Sequence, residues 1–488
     1  MCSSPLEKFD VVVIGAGPAG VVAALRVARL GAKIGLVTRD EFGGMAANDG
    51  PVPVRTLAHA ARLMREARQL PRYGIDAGSP MLDYKRLLHR VREVTDDARA
   101  NSMLRKDLAD AGVTVHEQAG SARFAEPHVI VSERGPQMHA DTVIICTGGV
   151  SRRLPIPGFE LTCTHSDAWE LGAVPRSMLV IGAGATGVQV ASIFNAFGSS
   201  VVLFEAAPRI LMTEDPDVAA EMAAALEASG IEVVEDAGRI ERFEGSENGV
   251  RMVYFGQGAI QHREAELAVV AVGWQANTAG LELAVAGVET DSRGFVRVDS
   301  RLQTSAPHVF AAGDVTGRLM VVHEAVREAF LAASYAVTGS GPDTLPPEVS
   351  PVGSFTDPEY ASVGITEEAA RKRWDVVVGV QRFDALPRSI IDGRTSGFCK
   401  VVVDRDRHAV LGCHVVGERA VELAQLGAVA MAAGMSVEQL ATVPFSVPTY
   451  ANALARAAVR AAQQLPARAA GPAEDTPAER ADLTSVAG

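Results

Sequence analysis

Two stretches of this chain share one construction, and that repeat limits the fold more than anything else in the sequence. In FDVVVIGAGPAG an apolar run passes through Gly15, Gly17 and Gly20 into an Ala-rich helix reaching about Gly31. In SMLVIGAGATGVQVASIF the same happens through Gly182, Gly184 and Gly187, and a further strand, SSVVLFE, follows. The first two glycines of such a turn allow the tight bend and close approach of the backbone to a pyrophosphate. The third lets helix lie against strand, and the helix N-terminus faces the anion. One such turn alone is weak evidence, because ordinary strand-to-helix turns also use glycine. Two of them predict two dinucleotide-binding βαβ units.

The second unit carries its acid. Glu205 stands 23 residues after Gly182, at the end of the next strand, where a carboxylate accepts ribose hydroxyls and repels a 2′-phosphate. NADH is therefore expected over NADPH; Arg209 is near enough to soften that preference, or is a solvated surface charge. At the same distance from Gly15 the first unit has Thr38, which can bond a ribose without the charge. A third landmark is HVFAAGDVTG, where a strand runs into Gly313 and Asp314. That carboxylate can meet a polyol chain, or it can simply cap a turn.

Composition excludes several partners. Of 488 residues, 46 are Lys or Arg and 59 Asp or Glu, a net charge of -13 with no basic block, which argues against nucleic acid and anionic membranes. Cys2, Cys146, Cys163, Cys399 and Cys413 give neither a CxxC metal site nor a disulfide framework, so no metal is expected and a cytoplasmic location is the default. The glycines of VVVIGAGPAGVVAAL suit a nucleotide turn better than a membrane span, and no targeting segment is expected before it. From Pro466 onward the chain is rich in Ala, Pro and charge, which predicts a disordered tail.

The two fingerprints together with TVIICTGG, AVGWQANTAGL and VFAAGDVTG resemble the pyridine nucleotide disulfide reductase family, which includes dihydrolipoamide dehydrogenase and mercuric reductase. The likeness runs from about Phe9 to Ala462, and FTDPEYASVGIT, GFCKVVVD, VLGCHVVG and VPTYANAL are similar to that family's dimerisation domain. The resemblance implies an α/β protein with two Rossmann-like domains and a C-terminal α+β dimerisation domain. The expected parts are an FAD domain from 1–155 and 282–346, an NAD domain from 156–281, an interface domain from 347–465 and a tail from 466–488. FAD would use Gly15, Gly17, Gly20, Thr38, Gly43, Gly44, Thr147, Gly148, Gly313 and Asp314. The nicotinamide dinucleotide would use Gly182, Gly184, Gly187, Glu205 and Gly273.

The departures from the family are informative. Its redox segment, GGTCxNxGCxPxK, reads GGMAANDGPVPVR here, with Ala46 and Pro51 at the cysteine positions. Neither can form a thiolate or a mixed disulfide. The family's proton-handling His and its Glu partner correspond to Val447 and Asn452, and valine cannot titrate. The family's Lys beside the flavin and its Glu partner correspond to Arg55 and Gln189. A guanidinium with a neutral partner is expected to be undercompensated and to favour the negatively charged reduced flavin. Met45, Asn48 and Asp49, with Tyr450 and Asn452 of the partner subunit, are expected to line a pocket in place of the disulfide. There Asp49 is a candidate proton donor or else a turn residue, and Tyr450 a stacking surface or plain packing. His59, His323 and Glu324 are weaker candidates.

Hydride transfer from nicotinamide to flavin needs only stacked rings at close approach. The expectation is a homodimeric, FAD-dependent NAD(P)H oxidoreductase acting on a small-molecule acceptor that is not a disulfide. Quinones or similar planar electrophiles stand ahead of a second nicotinamide nucleotide. The alternatives are flavin-linked dehydrogenation or oxidation of a biosynthetic intermediate, and a nucleotide-binding redox sensor without turnover.

Overall fold

The computed structural model describes residues 6–101, 104–341 and 349–466. All but the first residue of the expected tail therefore lies outside the described residues. The run Val11–Ile14 is buried on both faces, as a central parallel strand must be. Strand Leu6–Ile14 pairs in parallel with Ile34–Val37 on one side and Gln137–Ile145 on the other. Thr114–His116 extends the first side; Val129–Ser132 and Ala122–Glu126 extend the second, and Val309–Ala311 joins Gln137–Ile145 from far along the chain. Neighbours on both sides of Leu6–Ile14 leave a crevice at its C-terminal end, where open α/β sheets bind ligands.

Helix Pro18–Arg29 starts there, with Pro18 in the first turn where its missing N–H costs nothing. Its Ala19, Ala23 and Ala24 pack with Ala329, Ala332 and Ala333 of helix Val322–Thr338. Small side chains on both helices permit that close approach.

The second unit repeats the plan. Ser177–Ile181 lies between Ser200–Phe204 and Leu267–Val270 in a five-stranded parallel sheet, and helix Ala185–Phe197 follows the turn. Strands Gly149–Ser151 and Trp274–Ala276 pair antiparallel where the chain passes between the units.

The C-terminal region is a five-stranded antiparallel sheet in the order Val352–Ser354, Tyr360–Gly364, Val410–Val416, Phe398–Asp404, Val376–Arg382. Helices Ala420–Ala432 and Asn452–Ala462 pack on it. It is locked to the second unit by buried Lys400, whose Nζ lies 2.9 Å from Asp215 and 2.7 Å from Asp217. Cys399 and Cys413 are buried on adjacent strands of this sheet. Among the described residues no helix is long and apolar enough to cross a membrane.

Candidate active site at the junction of the dinucleotide units

The first turn is built so that only glycine suits it. Gly15 has φ +109°, and a Cβ there would lie 2.3 Å from the Cys146 carbonyl oxygen; one on Gly20 would lie 1.8 Å from the Gly15 oxygen. Gly43 and Gly44 also have positive φ, and Gly43 N donates to the Ala16 oxygen, folding the segment Gly44–Asn48 onto the turn. Thr38 is buried at the end of the neighbouring strand.

Two polar groups here lack protein partners. Thr147 Oγ1 is buried without a hydrogen bond. The side-chain carboxylate of Asp314, after Gly313 with its positive φ, accepts none among the described residues, and burial pushes its carboxyl up. Gly313 N donates to Glu328 Oε2 at 2.8 Å, which pins that turn. Gly148, also left-handed, has open space where a Cβ would be. A glycine-walled crevice with an unpartnered hydroxyl and carboxylate fits the pyrophosphate and hydroxyl-bearing chain of FAD.

The second turn has the same skeleton and a different mouth. A Cβ on Gly182 would lie 2.5 Å from the Ala271 oxygen and one on Gly187 1.7 Å from the Gly182 oxygen, but around Gly184 there is nothing within 4 Å. Gly273, left-handed, is equally open. Glu205 is held in place by Ala183 N at 2.8 Å and Ala207 N at 2.9 Å, leaving carboxylate lone pairs for a ribose diol. Arg209 is half-buried and engaged with its own loop. Its guanidinium donates to the carbonyls of Ile210, Leu211, Met212 and Glu214.

Between the two turns lies the segment from Gly43 to Arg55. Ala46 is buried and Pro51 is exposed at the start of helix Pro51–Gln69; Met45 is half-buried and Asn48 exposed. Asp49 accepts from Ser166 Oγ at 2.6 Å, and its Oδ2 lies 4.0 Å from Nε2 of buried His165. The other imidazole nitrogen meets Ser151 Oγ at 2.8 Å, and the ring packs edge-on to Trp274. Burial lowers the His165 pKa against the pull of Asp49 and Asp167. Asp49 thus ties the segment to helix His165–Ala168 of the second unit, a role beyond that of a local turn. No sequence signal marked His165, Ser166 or Ser151, because each lies more than a hundred residues from Asp49 or stands outside any motif.

Arg55 and Gln189 are brought together, with Nη1 3.5 Å from Oε1. Gln189 Oε1 also accepts from Phe355 N at 3.2 Å and Ser354 Oγ at 3.3 Å, and the guanidinium lies over the Phe355 ring. Burial lowers Arg55 to about 10, opposed by Glu359. Glu359 of the C-terminal region thus acts electrostatically on a cation whose direct partners, Gln189 and Phe355, are neutral. His59, one turn on, is exposed.

Tyr450 is removed from this cluster in its own subunit: its hydroxyl donates to Asp392 at 3.0 Å and its ring packs on Phe383. Asn452 opens helix Asn452–Ala462, and Val447 is 62% exposed. Glu324 is buried and paired with Arg327 and Ser350, while His323 is exposed.

Comparison with known proteins assigns this architecture. Residues 9–329 match the pyridine nucleotide-disulphide oxidoreductase family and residues 350–458 its dimerisation domain. A dihydrolipoyl dehydrogenase of Thermus scotoductus is 34% identical, covering 93% of this chain and 97% of its own. One from Zymomonas mobilis is 32% identical over 92% and 97%, and a mercuric reductase of Lysinibacillus sphaericus is 30% identical over 93% and 82%. Among solved structures, the HOCl-induced flavoprotein disulfide reductase RclA of Escherichia coli superposes with a TM-score of 0.82 at 28% identity, covering 92% of this chain and 99% of that one. Members of this family bind FAD and use NAD(P)H, and the two glycine turns, the partnerless Thr147 and Asp314 and the ribose-ready Glu205 accord with both. The chain belongs to the pyridine nucleotide-disulphide oxidoreductase family, and it is a flavin-dependent oxidoreductase.

Proposed function

We propose that this protein, as a homodimer, passes hydride from NADH to an acceptor that is not a disulfide: a quinone or other small planar electrophile, or a second nicotinamide nucleotide. The observation that carries the reading is the segment Gly43–Arg55, which folds onto the FAD turn as a redox segment would and contains no cysteine. Of the remaining described thiols, Cys146 is buried and its pKa pushed up by that burial, which suppresses the thiolate needed for exchange. FAD, when bound, would supply the two-electron chemistry between donor and acceptor.

The chain's own residues bind and orient. Gly15, Gly17, Gly20, Gly43, Gly44, Thr147 and Asp314 would hold FAD, and Gly182, Gly184, Gly187 and Glu205 would hold NADH. The engagement of Arg209 with four carbonyls supports NADH over NADPH, since no free guanidinium is left at the ribose for a 2′-phosphate. Arg55 would place a fixed positive charge beside the flavin. A partner subunit would supply Tyr450 and Asn452, and exposed apolar side chains on the C-terminal region, Val429 and Val447 among them, support such a dimer.

One observation favours the second reading, flavin-linked dehydrogenation. Asp49, hydrogen-bonded by Ser166 beside His165, is placed to take a proton from a substrate hydroxyl. Anaerobic titration with NADH, recorded in the visible, tests the main reading. Bleaching by one hydride equivalent per FAD without a long-wavelength thiolate band, then rapid reoxidation by a quinone and none by lipoamide, is the expected result. Flavin that stays oxidised under NADH, or robust dihydrolipoamide turnover, refutes it.

A further inference from the structure

We infer that His165 is a positioning residue for Asp49: through the Ser166 hydroxyl it keeps that carboxylate supplied with the proton that a bound planar acceptor takes up as it is reduced. The inference deepens the proposed hydride transfer to a quinone-like acceptor and rests on Asp49 facing that molecule. Conversion of a quinone to a hydroquinone consumes one hydride and one proton, so a site covered by its acceptor must deliver the proton from its own side chains. Asp49 lies between Ala46 and Pro51, in the segment that roofs the FAD turn, and its side chain is 34% exposed.

Behind Asp49 the polar groups form a row that ends on it. An ionised carboxylate only accepts, so Ser166 Oγ donates to Asp49 Oδ2, at 2.6 Å. The Ser166 oxygen can then accept from Nε2–H of His165, a long contact of 3.5 Å, and that nitrogen lies 4.0 Å from Asp49 Oδ2. Burial lowers the His165 pKa and favours the neutral ring, which leaves Nδ1 to accept from Ser151 Oγ at 2.8 Å. Every donor in the row therefore points toward Asp49. Two carboxylates act on the imidazole, Asp49 and Asp167, and Asp167 is occupied by the helix cap, accepting from Thr164 N at 2.7 Å and Thr164 Oγ1 at 2.8 Å. Trp169 and Trp274 meet the ring edge-on, so its contacts from other elements are apolar faces and the two serines. His165 is buried and Ser151 only half-buried, so the row starts nearer solvent and passes through an enclosed ring. In the step, the O–H bond of protonated Asp49 breaks and an O–H bond forms on the acceptor; the accompanying hydride is the one the proposed function supplies. Ser166 then gives its hydroxyl proton to the Asp49 carboxylate, and Nε2–H of His165 restores that hydroxyl. The Ser151 proton passes to Nδ1 and is replaced from solvent. One solvent proton thus reaches the acceptor, and the imidazole changes tautomer without changing charge.

The test uses the FAD-bound protein, photoreduced without NADH and mixed anaerobically with either naphthoquinone or ferricyanide, which takes electrons and no proton. The readout is the ratio of the naphthoquinone to the ferricyanide reoxidation rate, which a merely structural role would not move. Ser166→Ala should lower that ratio by about tenfold, and Ser166→Thr, which keeps the hydroxyl, should restore it. Ser166→Ala added to Asp49→Asn should lower it no further than Asp49→Asn alone, as expected of groups acting in one row. A ratio that falls in Asp49→Asn and is unchanged in Ser166→Ala, or is not restored by Ser166→Thr, overturns the inference and leaves the proton role of Asp49 standing. An unchanged ratio in Asp49→Asn overturns both. Should Ser166→Ala not retain FAD, His165→Gln serves instead: it can donate to Ser166 but cannot pass a proton between two nitrogens, so the same fall is expected and an unchanged ratio overturns the inference. Failure of NADH to reduce the flavin refutes the proposed donor without touching this result, whereas failure of naphthoquinone to reoxidise the wild type overturns the proposed acceptor and the inference together.

Discussion

The two dinucleotide turns agree almost contact for contact and differ at their middle glycine. Gly15 and Gly182 are left-handed against a carbonyl oxygen, and Gly20 and Gly187 leave no room for a Cβ. Gly17, however, lies under Gly44, 3.8 Å from where its Cβ would be, whereas Gly184 is exposed with nothing within 4 Å. The first turn is roofed by the segment Gly43–Asn48; the second opens to solvent. A roofed turn suits a nucleotide that stays through many turnovers, and an open one suits a nucleotide that must come and go. The acids follow suit. In the proposed reading Glu205 would give the open turn a charged handle that helps select its ligand, while buried, neutral Thr38 would leave the roofed turn to rely on enclosure.

The sharpest way to break this comparison is to fill the third glycine of each turn. Gly20→Val and Gly187→Val drive a side chain into backbone oxygen at 1.8 and 1.7 Å. Gly20→Val should yield protein without flavin. Gly187→Val should keep its yellow colour and lose reduction by NADH, as absorbance per chain and anaerobic titration would show; equal loss of flavin in both would erase the distinction.

Glu205→Ala is expected to lower kcat/KM for NADH by about tenfold to a hundredfold, the range for hydrogen bonds to a charged group, while NADPH is far less affected. Steady-state kinetics with both donors would decide it.

A smaller effect concerns pH. Glu359 has its carboxyl raised from 4.5 to about 7, so the folded chain binds more protons there than the unfolded one. Its contribution to stability is therefore fully present below about pH 4.5, declines as pH rises, and is gone above about 7. Glu359→Gln should flatten the melting-temperature profile between those limits by a few degrees, and an unchanged slope in thermal scans would count against the buried charge. The smallest expected effect is that of Thr147→Val. It removes the partnerless hydroxyl and should weaken FAD by about threefold to tenfold in a dissociation assay.

Much of the fold was legible because its constraints are local. A continuous apolar run such as VVVI, a glycine turn and an Ala-rich helix each dictate their own conformation within about 20 residues, and Glu205 stands at a fixed offset from Gly182. The contact of Arg55 with Gln189 was also anticipated, through family likeness. The engagement of Arg209 was not foreseen, because it depends on four carbonyls of a loop whose path no spacing announces.

The chain's sequence by itself determined the two turns, the absence of thiols from Gly43 to Arg55 and the acid that favours ribose, since each depends on residue identity within a single short element. Only the tertiary structure decided which distant groups share a dielectric environment. Asp49 met Ser166 and His165, and Arg55 met the ring of Phe355, because the second unit and the C-terminal region fold against the first. Charge interactions of buried groups act through space over several ångströms irrespective of separation along the chain, so neither pair leaves a pattern in the order of residues.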